Sequence, residues 1–244
     1  MSPDEQFEEK IAAFVSAGNT VIGRPSRVLG VCSIHEYKSG STIVFGNGCT
    51  ISNSTFQFPW GGGTVEIGEG ATYQARTHAA PNSVIKVGEK TVFNRRSEVH
   101  AWEDANITIG KNCLISNIRI RTSDMHTIYD ARSGRRINDA RSVVIEDRVW
   151  IGEDVMIAKG ARVGAGSIVG ALSLVTGYIP NNCIAVGVPA RVMRRGVKWK
   201  RQLGEPAPKP AALPPRAPLW KLVGRKLKRI IKRSISGKTG RPSR

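Results

Sequence analysis

The sequence is poor in aromatic residues and has no closely spaced cysteine pair. Phe, Trp and Tyr make up 6% of its 244 residues, so a core has to be built mainly from Val, Ile, Leu and Ala. The four cysteines are far apart in the chain and form no CxxC motif: Cys32, Cys49, Cys113 and Cys183. This spacing argues against a zinc knuckle or a disulfide framework and suits a reducing compartment.

The chain also lacks the features of a signal peptide or a membrane span. Its N-terminus, MSPDEQFEEK, is acidic and has neither a basic nor an apolar region. Residues 163–190 carry no charge, but five glycines, two prolines and an Asn-Asn pair make them a poor spanning helix. We therefore expect a cytoplasmic protein without a transmembrane segment.

Acidic residues are almost absent from the C-terminal part. The net charge is +18, and residues 191–244 hold 18 of the 37 Lys and Arg residues but a single acid, Glu205. The rest of the chain is close to neutral. The positive charge therefore belongs to the tail rather than to the body.

Residues 1–18 predict an amphipathic helix that docks on the body. Ser2 is a suitable N-cap and Pro3 suits the first turn. Phe7, Ile11 and Val15 recur every four residues, and the pattern ends at Gly18. This stripe predicts the buried face.

The strongest pattern is a six-residue repeat. From residue 145 the chain divides into IEDRVW, IGEDVM, IAKGAR, VGAGSI, VGALSL and VTGYIP, each beginning with Ile or Val. Neither a helix of period 3.6 nor a strand of period 2 keeps this spacing. A chain that turns a corner every six residues does, with each aliphatic residue directed into a triangular prism. The 26 glycines suit the corners.

The same repeat occurs earlier in interrupted form. Residues six apart pair as Phe45/Ile51, Ile67/Tyr73, Val87/Phe93/Val99 and Ile109/Ile115, and the starts of these groups are 22, 20 and 22 residues apart. A triangular turn of 18 residues with short additions explains this spacing. A β-sandwich with coincidental spacing would compete with it, but the six unbroken hexads disfavour that fold.

The coils of residues 149–195 and the stretch SDMHTIYD resemble the hexapeptide-repeat acyltransferases, in their sugar O-acetyltransferase branch. The resemblance implies an all-β fold, a left-handed parallel β-helix over residues 19–195, with an active-site loop at 122–144. It also implies an acetyltransferase that uses acetyl-CoA as co-substrate and assembles as a homotrimer. The acceptor is expected to be a sugar or polysaccharide precursor.

His126 is the candidate catalytic base. Imidazole, with a reference pKa of about 6.5, is suited to accept a hydroxyl proton near neutral pH. His126 precedes Trp150-Ile151-Gly152 by 24 residues, the spacing that the resemblance requires. A carboxylate often orients such a histidine, and Asp124 and Asp130 are candidates, although a main-chain carbonyl would serve as well.

The resemblance and the loop composition also suggest substrate contacts. Asp104 matches the acceptor-binding acid of the family, although a simple turn residue would explain it equally well. Trp150 is expected to face outward as a flat wall beside thioester or sugar. The remaining candidates for acceptor contacts are His100, Arg135, Arg136 and Asn138.

The coenzyme A groove follows from the resemblance residue by residue. It places Trp150, Glu153, Ala171, Thr176, Arg191 and Arg194 along the groove. The Glu153 main-chain N–H is then the oxyanion donor and the two arginines meet phosphates. Gly177 replaces a Lys that is frequent in the family, and Glu153 replaces a small residue, so the exact contacts differ here.

Two further classes of protein compete with this interpretation. His78 and His100 are 22 residues apart, so they are expected to stack on one face. With His126 they would suit a metalloprotein like the γ-class carbonic anhydrases, but the surrounding residues do not match that family, and we expect no metal. The second class is a non-catalytic β-helix scaffold. Within the acyltransferases themselves, an amino-sugar N-acetyltransferase stays open.

The tail has two predicted parts. Residues 196–218 are a proline-rich linker, and residues 219–244 form a basic amphipathic helix. Its apolar stripe includes Trp220, Leu227, Ile230 and Ile231. This combination predicts peripheral binding to an anionic membrane at its inner face. Nucleic acid is the less favoured partner, because an apolar stripe has no role there, and a tail without function also stays open.

Overall fold

The computed structural model describes residues 2–202. These residues form one N-terminal helix followed by a parallel β-helix in which the chain passes in turn through three sheets. The rest of the predicted linker and the whole predicted basic helix, residues 203–244, lie outside the described residues, and so do Trp220, Leu227, Ile230 and Ile231.

The three sheets are built from strands numbered in chain order. The first sheet contains β1 (Thr20–Ile22), β4 (Thr42–Phe45), β7 (Thr64–Ile67), β10 (Val84–Val87), β13 (Ile107–Ile109), β16 (Val143–Ile145), β19 (Arg162–Val163) and β22 (Tyr178–Ile179). The second contains β2 (Arg27–Leu29), β5 (Thr50–Ser52), β8 (Thr72–Tyr73), β11 (Val92–Phe93), β14 (Leu114–Ile115), β17 (Trp150–Ile151), β20 (Ile168–Val169), β23 (Cys183–Val186) and β24 (Arg191–Arg195). The third contains β3 (Ser33–Tyr37), β6 (Thr55–Phe58), β9 (Ala75–Ala79), β12 (Ser97–Ala101), β15 (Ile118–Arg121), β18 (Val155–Ile157) and β21 (Leu174–Val175).

The core consists of aliphatic ladders that run along the prism. In the first sheet, strand pairing places one buried residue of each coil directly over the next: Phe45, Ile67, Val87, Ile109, Ile145, Val163 and Ile179. The first residue of each of the six hexads is at most 1% exposed. The predicted β-helix and its inward-facing residues are therefore confirmed.

Glycines stand at one corner because adjacent coils touch there through their main chains. A Cβ added at Gly88 would lie 2.5 Å from the carbonyl carbon of Gly110, and one added at Gly68 would lie 2.7 Å from the nitrogen of Glu89. Both distances are far below van der Waals contact. Only glycine, which has no Cβ, therefore allows adjacent coils to approach this closely at the corner.

Helix α1 (Pro3–Ser16) covers the first coil of the prism. Ser2 and Glu5 form a capping box, as the sequence suggested for Ser2. Phe7, Ile11 and Phe14 are buried against the core, whereas Val15 is 46% exposed. The prediction that Val15 belongs to the buried stripe was therefore wrong. After seven residues a helix has turned through almost two full turns, so Phe14 lies below Phe7.

The uncharged stretch of residues 163–190 forms β-helix coils, from β19 to β23. Across residues 2–202, no helix combines the length and apolarity that crossing a bilayer would require.

The β-helical body extends further than the predicted boundary at residue 195. Trp199 Nε1 donates to the carbonyl oxygen of Arg148 over 2.8 Å, and Arg201 donates to the carbonyl oxygens of Lys90 and Cys113 over 2.7 and 3.0 Å. Residues up to Arg201 thus form one compact unit. Residues 196–201, predicted as the start of a linker, belong to the body because these side chains bind its main chain.

Candidate functional site

The predicted active-site loop leaves the prism at one corner. Residues 122–142 connect β15 of the third sheet to β16 of the first, where other coils need only a short turn. We call this edge of the prism, formed by all the turns from the third sheet to the first, the His126 corner. His126 itself is exposed on this loop.

Asn138 holds the loop from within. It is only 7% exposed, and its Nδ2 donates to the His126 carbonyl oxygen over 2.7 Å and to Asp124 Oδ2 over 3.0 Å. Its Oδ1 accepts the main-chain N–H of Ile128 over 2.8 Å. One amide therefore ties the main chain just after the histidine and the side chain of Asp124 just before it.

Lys159 fixes the loop to the next coil. Its Nζ lies 2.5 Å from Asp124 Oδ2 and 2.8 Å from the Asn138 carbonyl oxygen, and its side chain is 13% exposed. The hydrogen bonds from Lys159 and Asn138 lower the pKa of Asp124. Asp124 is therefore an anionic bridge between the loop and the prism near neutral pH.

Glu103 fixes the loop to the preceding coil. Arg136 Nη2 lies 2.6 Å from Glu103 Oε2, and Ser123 Oγ donates to the other carboxylate oxygen. These contacts, with Ser123 first, lower the pKa of Glu103. The loop is thus held by ion pairs from the coils on both sides of it.

Several predicted site residues serve the loop itself. Neither Asp124 nor Asp130 contacts the His126 ring in the part of the chain that the structure describes. Asp124 pairs with Lys159, and Asp130 Oδ1 accepts the main-chain N–H of Ser133 over 2.8 Å, closing a turn. Arg136 and Asn138, predicted to contact a glycan, are instead engaged in the ion pair and amide contacts above.

The remaining loop and corner candidates stay accessible. Arg135 is exposed and forms no ion pair among residues 2–202. Asp104 is exposed on the same corner, one coil before the loop, with φ of 57° and an Asn82 Nδ2 donor at 3.1 Å. Its backbone is that of a turn residue, and its carboxylate faces solvent on the His126 corner.

Trp150 lies on the opposite side of the prism from His126. It belongs to β17 of the second sheet and is 40% exposed, while Ile151 beside it is buried. In a triangular prism, the corner between the third and first sheets faces the second sheet across the core. Trp199 lies next to Trp150, with ring centroids 6.0 Å apart.

The predicted coenzyme A residues fall into three places. Glu153 and Ala171 stack at the corner between the second and third sheets, where Leu172 N donates to the Glu153 carbonyl oxygen over 2.8 Å. Arg191 and Arg194 are exposed on β24 of the second sheet, three strands away from β17, which carries Trp150. Thr176 instead follows β21 and lies at the His126 corner.

The fit of these residues to coenzyme A is mixed. Gly152 approaches the next coil so closely that an added Cβ would lie 2.6 Å from the Ala171 nitrogen, so the two coils meet through their main chains at this point. The Glu153 carboxylate turns aside to Arg95, 3.3 Å away. The two β24 arginines supply positive charge suited to phosphates.

His78 and His100 stack in register on the outer face of the third sheet, as predicted, with ring centroids 5.9 Å apart. Burial lowers the pKa of each histidine to about 4. Trp102 stacks on His78 at 4.0 Å, and Trp60 lies edge-on to Trp102 at 5.0 Å. No group of three or more His, Cys, Asp or Glu side chains suited to a metal ion occurs within residues 2–202.

Sequence reasoning did not find Lys159, Glu103 or the two tryptophans of this cluster. The sequence contained one indication of Lys159. It lies at the corner of the hexad IAKGAR, whereas the corners of the preceding and following hexads carry acidic or small residues. Trp60 and Trp102 gave another, since they are two of only five tryptophans.

Comparisons with known proteins agree with this architecture. The family described as bacterial transferase hexapeptide (six repeats) matches residues 142–177. A putative lipopolysaccharide biosynthesis O-acetyl transferase of Escherichia coli is 32% identical over 144 residues, which cover 54% of this chain and 72% of that protein. A polysialic acid O-acetyltransferase of Escherichia coli is 36% identical over 124 residues, 48% of this chain, and the match spans 40% of the relative's length.

Solved structures show the same fold. The polysialic acid O-acetyltransferase OatWY superimposes with a TM-score of 0.73 at 24% identity, covering 78% of this chain and 90% of that one. The polySia specific acetyltransferase NeuO gives a TM-score of 0.58 at 26% identity, covering 87% and 99%. With the hexads, the left-handed parallel β-helix and these relatives together, the chain belongs to the hexapeptide-repeat acyltransferase family, in its sugar and polysaccharide O-acetyltransferase branch.

Proposed function

We propose that this protein transfers the acetyl group of acetyl-CoA to a hydroxyl of a sugar or polysaccharide precursor. The observation that carries the proposal is the placement of His126: its main chain is tied by Asn138, while its side chain is exposed on a loop that interrupts the coils. Among described residues no other histidine lies on this loop. The names of the relatives, which act on polysialic acid, lipopolysaccharide and galactosides, support a glycan acceptor.

His126 acts as the general base in this proposal. Its imidazole takes the proton from the acceptor hydroxyl as the oxygen attacks the thioester carbonyl, and later passes that proton to the departing thiolate. The Glu153 main-chain N–H donates to the oxyanion. Arg191 and Arg194 bind phosphates, and Trp150 forms a wall of the same groove. Arg135 and Asp104 are the proposed acceptor contacts on the His126 corner.

The proposed active unit is a homotrimer with each site shared by two protomers. Because His126 and Trp150 lie on opposite sides of one prism, a site that uses both needs His126 from one protomer and Trp150 from its neighbour. The loop also presents an apolar surface suited to a second copy of the chain. Its members are 47–60% exposed: Met125, Ile128, Tyr129 and Ile137.

The tail is the proposed membrane contact. Residues 219–244 hold ten Lys or Arg and no acid. Each such charge near an anionic leaflet contributes about 1 kcal/mol of attraction. This binding would hold the enzyme at the inner face of the membrane, where lipid-linked glycans are assembled.

The test of the function is an acceptor screen with acetyl-CoA that follows free thiol release. The wild-type chain should release thiol with at least one saccharide, and His126→Ala should reduce turnover by about 10²-fold or more, because a positioned base contributes that much. Circular dichroism should show an unchanged fold, since the ring is exposed. Near-wild-type turnover of His126→Ala on the best acceptor would show that this histidine is not the base.

A further inference from the structure

Four aromatic rings form a continuous cluster on the outer face of the third sheet. We call Trp60, His78, His100 and Trp102 the aromatic shelf. Trp102 stacks on His78 with an interplanar angle of 13°, and Trp60 stands at 60° to Trp102. The alternating strand residues Thr77 and Val99 point into the core and are fully buried, so the shelf projects outward.

The shelf is unusual because it hides polar atoms without satisfying them. His78 Nε2, His100 Nε2 and Trp102 Nε1 are buried and have no hydrogen-bond partner within residues 2–202. An unsatisfied buried polar group costs about 1–3 kcal/mol, so leucine or valine would serve stability better here. The shelf therefore combines buried, unsatisfied polar atoms with an outermost ring, Trp60, that is 51% exposed.

The shelf adjoins the loop that carries His126. Thr122, the first residue of the loop, is bonded to the Trp102 main chain through its Oγ1, at 2.7 Å from the nitrogen and 3.0 Å from the carbonyl oxygen. Trp102 follows β12, one coil before the loop, and Trp60 follows β6, two coils earlier. At about 4.8 Å per coil, the main chain of Trp60 lies about 14 Å from the coil that carries the loop. Its ring leans towards the loop, since its centroid is only 5.0 Å from that of Trp102.

We propose that the aromatic shelf is a subsite that binds the sugar rings of a polymeric acceptor next to the one being acetylated. This inference rests on the proposed function and deepens it, since it selects an oligosaccharide or polysaccharide over a single sugar. Pyranose rings have apolar C–H faces that pack on indole, and the half-exposed Trp60 ring offers such a surface beside the loop. A shelf locked by stacking loses little side-chain entropy when it binds.

The test compares acceptors of different length. Full-length protein and acetyl-CoA are assayed by thiol release with size-graded oligomers (one, three and six residues) of sialic acid and of galactose. For the acetylated series, the wild type should show a kcat/KM at least about tenfold higher for the six-residue oligomer than for the monomer. Trp60→Ala should remove this gain without changing the monomer value or the KM for acetyl-CoA.

Two variants serve as controls. Trp60→Phe keeps an apolar ring and should recover most of the gain. Ile22→Ala removes a side chain of similar exposure, 55%, from the first sheet and should change nothing. Equal kcat/KM for monomer and six-residue oligomer in the wild type, or an unchanged length dependence in Trp60→Ala, overturns the subsite while leaving acetyl transfer intact.

A binding measurement shows whether the subsite can be correct when the proposed acetyl transfer is wrong. If no saccharide is acetylated but a six-residue oligomer quenches tryptophan fluorescence in the wild type and not in Trp60→Ala, the subsite stands and the transferase proposal fails. If no oligomer binds at all, the subsite is wrong. Light scattering tests the alternative that a second copy of the chain packs on the shelf. If the Trp60→Ala variant dissociates into monomers, the shelf is a contact between protomers and the subsite proposal is wrong.

Discussion

The side-chain amide of Asn138 donates to the main-chain carbonyl oxygen of His126 over 2.7 Å, so the proposed base is positioned by a residue twelve positions later in the same loop. Lys159 supports the same amide residue from the next coil by binding the Asn138 carbonyl oxygen. A base that must reach an acceptor hydroxyl within hydrogen-bonding distance needs such support, because small displacements slow catalysis strongly.

We therefore expect Lys159→Met to lower kcat by about tenfold or more while leaving the KM for acetyl-CoA unchanged, since the proposed coenzyme residues Trp150 and Arg191 lie on another sheet. Lys159→Arg keeps the charge that pairs with Asp124 and should restore part of kcat. Steady-state kinetics with both substrates varied gives the answer. A rise in the KM for acetyl-CoA with unchanged kcat would place Lys159 in the coenzyme groove instead.

The close approach of coils at Gly88 predicts a large effect on stability. In Gly88→Ala the new methyl group would lie 2.5 Å from the Gly110 carbonyl carbon, so the coils have to separate. We expect a loss of about 3 kcal/mol in the free energy of unfolding. Gly177→Ala is the matched control, because its Cβ meets open space. Urea denaturation of both variants measures the difference, and equal stabilities would contradict the close-packed corner.

The hexads predicted the coils because a six-residue period directly encodes a corner and an inward side chain. The first hexad positions, from Ile145 to Val175, are all buried. The prediction of the buried helix face was wrong at one residue. Eight residues after Phe7, Val15 has rotated about 80° away from it around the helix axis, so Phe14 and not Val15 completes the buried stripe.

The sequence predicted only those site residues that lie at a fixed spacing from the repeats. His126 could be located by its distance to Trp150, but its supports could not. Lys159 and Asp124 are 35 residues apart and meet because two coils stack, while most of the loop lies between them in the sequence. The pairing of Arg136 with Glu103 has the same origin. Long-range contacts of this kind leave no periodic signal in the sequence.

The paired histidines of the shelf predict a loss of stability in mild acid. Burial lowers the pKa of His78 and His100 to about 4, below the ordinary value of 6.5. The unfolded chain therefore binds protons more readily, and stability is lost as pH falls from about 6.5 towards 4. Between pH 7 and pH 5 we expect a loss of about 2 kcal/mol per histidine.

Urea denaturation at several pH values measures this dependence, and His78→Gln should remove about half of it. Replacement of the exposed His35 by Gln is the control. The lowered pKa values of Asp124 and Glu103 affect stability only below about pH 4.5, outside this window. A His78→Gln variant with an unchanged pH dependence would show that the ring is hydrated in solution.

The shared site makes the final prediction, which concerns mixtures of two inactive variants. His126→Ala and Trp150→Ala should each have little activity alone. If the two are co-expressed and form mixed trimers, some interfaces combine an intact His126 from one protomer with an intact Trp150 from its neighbour. Random assembly places about one quarter of the interfaces in this state, so activity should recover to about a quarter of the wild-type value.

A chain ending at Gln202 is the appropriate background for the measurement, because it retains the Trp199 and Arg201 contacts with the body and omits the basic tail. Light scattering should give a trimer for this chain and for both variants. If trimers form but the co-expressed mixture is no more active than the two variants measured separately, then His126 and Trp150 do not meet across an interface. The coenzyme groove would then have to be sought beside the loop, on the His126 corner of the same prism, where Thr176 already lies.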